Sequence, residues 1–116
     1  MKPGDIVLVS FPYADQKSSK LRPGLIIAKV PGKHSDVLIA AISSRIYQAV
    51  PDFDELIEQT DPDFTLIGLK VTSVIRIGKL ASVETNIIAA CLGSISPERL
   101  TRVHQRLVYW LSSNLT

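Results

Sequence analysis

One cysteine, one tryptophan and two histidines are spread over 116 residues, and this scarcity closes off several kinds of chemistry. A lone Cys91 cannot close a disulfide within the chain or build a CxxC metal knuckle. Its apolar flank, Ile87-Ile88-Ala89-Ala90-Cys91-Leu92, predicts a buried structural thiol without a redox role. His34 and His104 lie far apart with no HxxxH spacing, and no GxSxG elbow marks a nucleophilic serine. The acidic residues Asp52, Asp54, Glu55, Glu58, Asp61 and Asp63 lack the alternating ligands and central glycine of a calcium loop, so a solvated edge is expected there. Neither a metal nor any other cofactor is expected. No apolar run approaches the length needed to cross a bilayer, and no apolar segment follows the opening Met1-Lys2-Pro3-Gly4-Asp5. These absences predict a cytoplasmic protein without a membrane partner.

What is present suffices for one core. Apolar residues make up 46% of the chain and charged ones 21%, far from the balance of a disordered segment, and the length suits a single domain over 1–116. The net charge of +2 is modest, but its distribution is uneven. Residues 1–50 carry seven Lys/Arg against three acids, residues 51–68 carry six acids and no base, and residues 69–116 carry six bases against two acids. Such an arrangement suits a basic groove beside an acidic edge, although solvated surface charge accounts for it equally well.

Hydrophobic pattern predicts a mainly β fold with a C-terminal α-helix. Asp5 to Phe11 is β-branched and aromatic between Pro3-Gly4 and Pro12, which predicts a strand. A polar loop to Pro23 follows, longer than most hairpin connections. Gly24–Val30 and Asp36–Ser43 read as neighbouring antiparallel strands around the turn at Pro31-Gly32-Lys33. Asp54–Glu58 leans to strand and is broken by Asp61-Pro62-Asp63. Leu69–Ile77 and Leu80–Val83 read as strands about a turn or bulge at Gly78-Lys79. Ser96 is a good N-cap, Pro97 fits the first helical position, and Ile95 can staple onto Leu100. Leu100, Val103, Leu107 and Leu111 then define a helix of about four turns, with Arg99, Arg102 and Arg106 on its other side. Five to seven short strands and one helix predict a small, strongly bent sheet or partly closed barrel.

With histidine, metal and nucleophilic-serine chemistry set aside, arginine and hydroxyl groups remain. Arg22 stands between the polar loop and an otherwise apolar strand, an expensive place for a guanidinium unless it faces a groove with something to bind. Ser43-Ser44-Arg45 closes another strand, and Arg76 interrupts Ser73-Val74-Ile75-Arg76-Ile77. Each has a plainer explanation: an Arg22 stem over the sheet edge, turn chemistry at Ser43, a cross-strand ion pair for Arg76. The residues alone leave both sets open.

Four segments together carry a resemblance. Gly4-Asp5-Ile6-Val7-Leu8-Val9, Leu21-Arg22-Pro23-Gly24-Leu25-Ile26-Ile27, Ala40-Ala41-Ile42-Ser43-Ser44 and Gly68-Leu69-Lys70-Val71-Thr72-Ser73-Val74-Ile75-Arg76 resemble the MazF/PemK-like toxins of type II toxin–antitoxin systems. Order and spacing match from about residue 3 to the final helix. The resemblance implies a homodimeric SH3-like barrel, a metal-independent endoribonuclease that cuts single-stranded RNA or mRNA, and an antitoxin protein that blocks the RNA groove. Carried over by position, Arg22 matches the arginine of the family's R-P motif and Ser43 the Thr or Ser closing the third strand. Arg76 matches a basic residue used at the site in PemK-like members, where an acid commonly follows two positions later; here that position is Gly78. These three are the catalytic candidates. Tyr13, Lys17, Lys20 and Arg45 are candidates for RNA contact. In the first loop the family's frequent Gly-x-Glu-Gln is replaced by Ala14-Asp15-Gln16-Lys17-Ser18-Ser19-Lys20.

In the implied chemistry the RNA's own 2′-hydroxyl attacks the adjacent phosphate. Arg22 would stabilise the charge that develops, and Ser43 would hold a phosphate oxygen or the attacking hydroxyl. A guanidinium is an inefficient acid or base near neutrality, which favours this electrostatic role over proton transfer. Two other readings stand beside it. The acid missing at Gly78 motivates a weak or inactive family member that binds RNA or an antitoxin peptide. The third is a peptide-binding adaptor barrel, for which nucleic-acid affinity and its steep salt dependence would be absent.

Overall fold

The computed structural model describes residues 1–11 and 20–114. In chain order the elements are β1 (Asp5–Val9), β2 (Arg22–Val30), β3 (Asp36–Ser43), β4 (Glu55–Ile57), α1 (Phe64–Ile67), β5 (Ser73–Glu84), β6 (Ala90–Ser94) and α2 (Pro97–Ser113). The strands form one antiparallel sheet in the order β4-β5-β3-β2-β1-β6. A curled, mainly β fold with one long C-terminal helix is what the hydrophobic pattern predicts.

Several elements differ from that pattern. The first strand stops at Val9, two residues short of its expected end. The two strands expected around Gly78-Lys79 are one strand of 12 residues. Ala40 faces Leu80 while Ala41 faces Arg76, so Ile77, Gly78 and Lys79 are accommodated as a bulge that bends β5 without ending it. Residues 69–72 precede this strand instead of opening it. The four-residue α1 and the edge strand β6 carry no strong periodic signal. They meet closely: Gly68, at φ 82, ends α1, and a Cβ there would lie 2.2 Å from the Leu92 carbonyl oxygen.

Alternation along the strands supplies two buried faces. One holds Ile6, Leu25, Ile27, Ile42, Ile75 and Ile77, and α2 covers it with Val103 and Leu107. The other holds Val7, Val9, Phe11, Ile26, Val37 and Ile39. Among the described residues no helix covers this second face. Bulges in the β1–β6, β2–β3 and β3–β5 pairings sharpen the curl that folds it onto itself. Each fully buried aliphatic side chain contributes about 1.5–3 kcal/mol, so both faces are needed to hold a sheet this small.

The helix begins as its sequence predicts: the Ser96 hydroxyl accepts from the Arg99 backbone N–H at 3.2 Å, with Pro97 at the first position. Its buried face differs. Leu111 is 53% exposed, whereas Arg99 is buried together with Val103 and Leu107. Those three positions are spaced i, i+4, i+8, so the helical repeat places Arg99 on the covered face. The acidic segment corrects in the same sense. Asp54, Glu55 and Asp63 are buried acceptors for the arginines of β5 and α2, whereas Asp52 and Glu58 are exposed as expected of a solvated edge. Cys91, expected to be buried, is exposed on β6. Among the described residues no helix is long and apolar enough to cross a membrane.

Candidate active site

β2 enters the sheet at Arg22 and β3 leaves it at Ser43, and antiparallel pairing brings these ends together. Gly24 faces Ala41 across the β2–β3 ladder, and Ala41 faces Arg76 across the β3–β5 ladder. Directly opposed residues share a face, as do residues two apart, so Arg22, Ala41, Ser43 and Arg76 all belong to the face opposite α2. Gly24 keeps this floor open and flat: a Cβ there would lie 2.5 Å from the Ile39 side chain and 2.9 Å from Phe11. Any other residue would push apart the packing beneath the site.

Over this floor lies a cleft of about 420 Å³ lined by Phe11, Arg22, Pro23, Ser43, Ser44, Arg45, Gln48, Lys70 and Ser73, with Ala41, Ile42, Leu69 and Val71 as its apolar part. Its charge has one sign. Arg22, Arg45 and Lys70 line it, no carboxylate does, and among the described residues none of the three makes an ion pair. Ser43 Oγ accepts from the Arg45 backbone N–H at 3.0 Å, which leaves its own proton to donate outward. Ser73 donates to the Val71 carbonyl oxygen at 2.9 Å and shapes the opposite wall. The cleft therefore offers guanidinium, ammonium, hydroxyl and amide donors to an acceptor-rich anion.

The sequence candidates are distributed unevenly about this cleft. Arg22, Ser43 and Arg45 line it together. Lys20 is exposed just before β2 but is not part of the lining, and Tyr13 and Lys17 lie outside the described residues. Arg76 does not line it either. Its Nε donates to Asp54 Oδ2 at 3.1 Å and its Nη1 to Gln48 Oε1 at 3.1 Å. The position two residues on, Gly78, lies against Phe53, whose ring would be 3.4 Å from a Cβ there. The carboxylate that pairs with Arg76 is thus Asp54, from a different turn. Gln48, Lys70 and Ser44 line the cleft without being among the sequence candidates. Lys70 and Ser44 lie inside motifs that were recognised, whereas Gln48, in a single 3-10 turn at Ile46–Gln48, gives no sequence signal.

A second depression, of about 600 Å³, lies at the start of α2 and has the opposite character. Glu55, Asp61, Asp63 and Glu98 line it beside Arg99 and Arg102. Arg99 donates to Asp63 at 2.9 Å through Nε and again through Nη2, to Asp61 at 2.8 Å, to Glu55 at 3.1 Å and to the Leu56 carbonyl at 2.8 Å. The hydrogen bonds from Arg99 hold the Asp63 carboxyl well below the usual carboxylate range against the opposing cost of burial. For Asp61 the Glu58 backbone N–H lowers the value first and Arg99 adds to it. Burial alone would push Arg99 down, but these carboxylates outweigh it and hold its guanidinium above the ordinary value. With its cations already committed, this depression is a structural joint and not a site for an anion.

A curled six-stranded antiparallel sheet with one covering helix is a fold shared with solved toxin structures. An endoribonuclease in complex with its cognate antitoxin from mycobacterial species superposes with a TM-score of 0.67 at 14% identity, covering 100% of this chain and 99% of that one. The Mycobacterium tuberculosis toxin MazF-mt6 gives 0.68 at 14% identity over 93% of this chain and 96% of that one. MazF from Deinococcus radiodurans gives 0.69 at 17% identity over 97% and 96%. No curated protein matches by sequence. Residues 2–111 match the family described as PemK-like, MazF-like toxin of type II toxin–antitoxin system, and the chain belongs to that family.

Proposed function

We propose that this protein is the toxin of a type II toxin–antitoxin pair and acts as a metal-independent endoribonuclease on single-stranded RNA, its cleft lying at the ends of β2 and β3. One observation carries the reading: three cations without ion-pair partners among the described residues, and a serine hydroxyl that only accepts among them, line a cleft whose described lining contains no acid. Such a surface fits the phosphate of an extended strand.

In the proposed reaction the 2′-hydroxyl of the RNA attacks the adjacent phosphorus and the P–O5′ bond breaks. The products are a 2′,3′-cyclic phosphate and a 5′-hydroxyl, which receives the proton the 2′-oxygen has lost. Arg22 presents its planar fork of donors to the non-bridging oxygens as they gain charge, and Ser43 donates its free proton to one of them. Arg45 and Lys70 hold the flanking phosphates. Arg76, a catalytic candidate by position, enters through Gln48. Lys20 lies on the approach to β2, where it adds to the positive field.

The chain acts in this reading as one domain, as a homodimer in the cytoplasm, with an antitoxin protein covering the cleft. Family membership supports the antitoxin, and a structural neighbour was solved with its own. A second reading, RNA binding without cleavage, is favoured by one specific feature: the described cleft lining has no carboxylate or imidazole to take the 2′-hydroxyl proton.

Purified protein incubated with an unstructured RNA in excess chelator separates these. Cleavage with cyclic-phosphate ends, lost in Arg22→Ala, is the expected result. Binding without cleavage selects the second reading, and neither binding nor cleavage across many sequences overturns both.

A further inference from the structure

Gln48 has a fixed orientation at the edge of the cleft. The only hydrogen bond described for its side chain comes from Arg76 Nη1 at 3.1 Å, and a guanidinium can only donate. The oxygen of the Gln48 amide must therefore face Arg76, and its NH2 group must point the other way. Among the described residues no group accepts from the Gln48 Nε2, and Gln48 lines the cleft beside Ser44 and Arg45. Its backbone is held as well, because the Gln48 N–H donates to the Arg45 carbonyl at 3.0 Å.

Behind Gln48 the orientation is set by a buried carboxylate. The Asp54 side chain is 1% exposed and accepts three hydrogen bonds: from Arg76 Nε at 3.1 Å, from the Val50 N–H at 3.0 Å and from the Ile77 N–H at 3.0 Å. A carboxylate so occupied cannot swing away. Arg76 is clamped between it and the amide, with two of its three nitrogens spoken for. The relay Asp54, Arg76, Gln48 ends in two amide protons that face away from Arg76, on a side chain that lines the cleft.

We propose that Gln48 contacts the bound RNA, donating through Nε2 to an acceptor oxygen of the strand, and that Asp54 and Arg76 are positioning residues that aim it. The proposal rests on the reading of the cleft as an RNA site and adds to it a contact that no residue pattern marks. The acceptor is either a phosphate oxygen or a nucleobase carbonyl, since both take an amide N–H.

Glutamate at position 48 is the informative substitution. Gln48→Glu keeps an oxygen for Arg76 and so preserves the relay, but turns the outward donor into an anionic acceptor. The probe is a fluorescent 2′-O-methyl RNA, which cannot be cut because the attacking hydroxyl is blocked, and the readout is anisotropy with the full chain. Gln48→Glu is expected to weaken binding about tenfold or more, the scale of one lost hydrogen bond plus repulsion. An equal loss on every oligonucleotide marks a phosphate oxygen, and a loss confined to one base marks a carbonyl.

Arg76→Lys, which keeps the charge but cannot bridge both partners, is expected to weaken binding by a smaller factor. In the double variant no loss beyond that of Gln48→Glu is expected, because both act at one contact. Wild-type affinity in Gln48→Glu, alongside weakened binding in Arg22→Ala, overturns the proposal and leaves the cleft reading intact. Additive losses in the double variant overturn the positioning role of Arg76. No binding by the wild type overturns the cleft reading and the proposal together.

Discussion

Two groups of cationic side chains lie on the same small sheet and have opposite surroundings. Around the cleft, Arg22, Arg45 and Lys70 are exposed and have no carboxylate beside them among the described residues. At the start of α2, Arg99 is 4% exposed by its side chain and surrounded by Glu55, Asp61 and Asp63, and Arg102 and Arg106 also reach Glu55. Of the acids of residues 51–68, Glu55, Asp61 and Asp63 are spent on the second group and Asp54 on Arg76, and none of the six lines the cleft. Segregation of charge along the sequence thus becomes a division of labour in space. One set holds the fold, and the other is left free for an anion.

The sharpest way to break the comparison is to remove Arg99. Arg99→Met strands buried carboxylates and is expected to cost about 3–5 kcal/mol in urea unfolding, a large share of the total for a domain of this size. Arg22→Ala is the counterpart. It should leave the unfolding midpoint within about 0.5 kcal/mol of wild type. RNA cleavage in gel assays should nevertheless fall by about 10²-fold or more, the usual cost of removing one preorganised donor to a developing oxyanion. If Arg22→Ala unfolds the protein instead, the division fails.

Acid tests the structural group alone. Asp63 and Asp61 are held below their unfolded values, so the unfolded chain binds more protons as pH falls through the ordinary carboxylate range. Stability from this joint is fully present above about pH 4 and is lost as the pH drops toward the lowered folded values. Urea midpoints that stay flat below pH 4 would contradict it, and Arg99→Met should blunt the fall. Salt tests the other group. Arg45→Gln and Lys70→Gln should each reduce the slope of log affinity against log salt for RNA by about one. The smallest effect is expected from Arg102→Ala, below about 1 kcal/mol, because its side chain is 48% exposed.

Where residues repeat with a clear period, the sequence predicts the structure well. β2 and β3 are apolar runs between turn residues, the helix start is written in Ser96-Pro97, and the Arg22–Ser43 pair followed from strand ends within a recognised pattern. Where an element is short or its neighbours decide it, the sequence is silent. β6 is an edge of five residues containing Gly93, and α1 is a single turn. Gly78-Lys79 reads as either a turn or a bulge because the two share their residues, and the structure has the bulge. Arg99 is the instructive case. Its spacing with Val103 and Leu107 is legible in the sequence, but its charge points to the exposed face, since an arginine is buried only where acids far along the chain await it. Gln48 could not be read at all, because its place depends on Arg76 and Asp54 coming together in three dimensions.

The joint at Arg99 also sets an order of events. The acids it neutralises leave the ribosome 36 to 44 residues before it does. Until α2 is synthesised, Glu55, Asp61 and Asp63 can be buried only at the cost of unpaired charge, so the nascent sheet is held open at that end. This end of the sheet is thereby completed only when the helix that carries Arg99 docks.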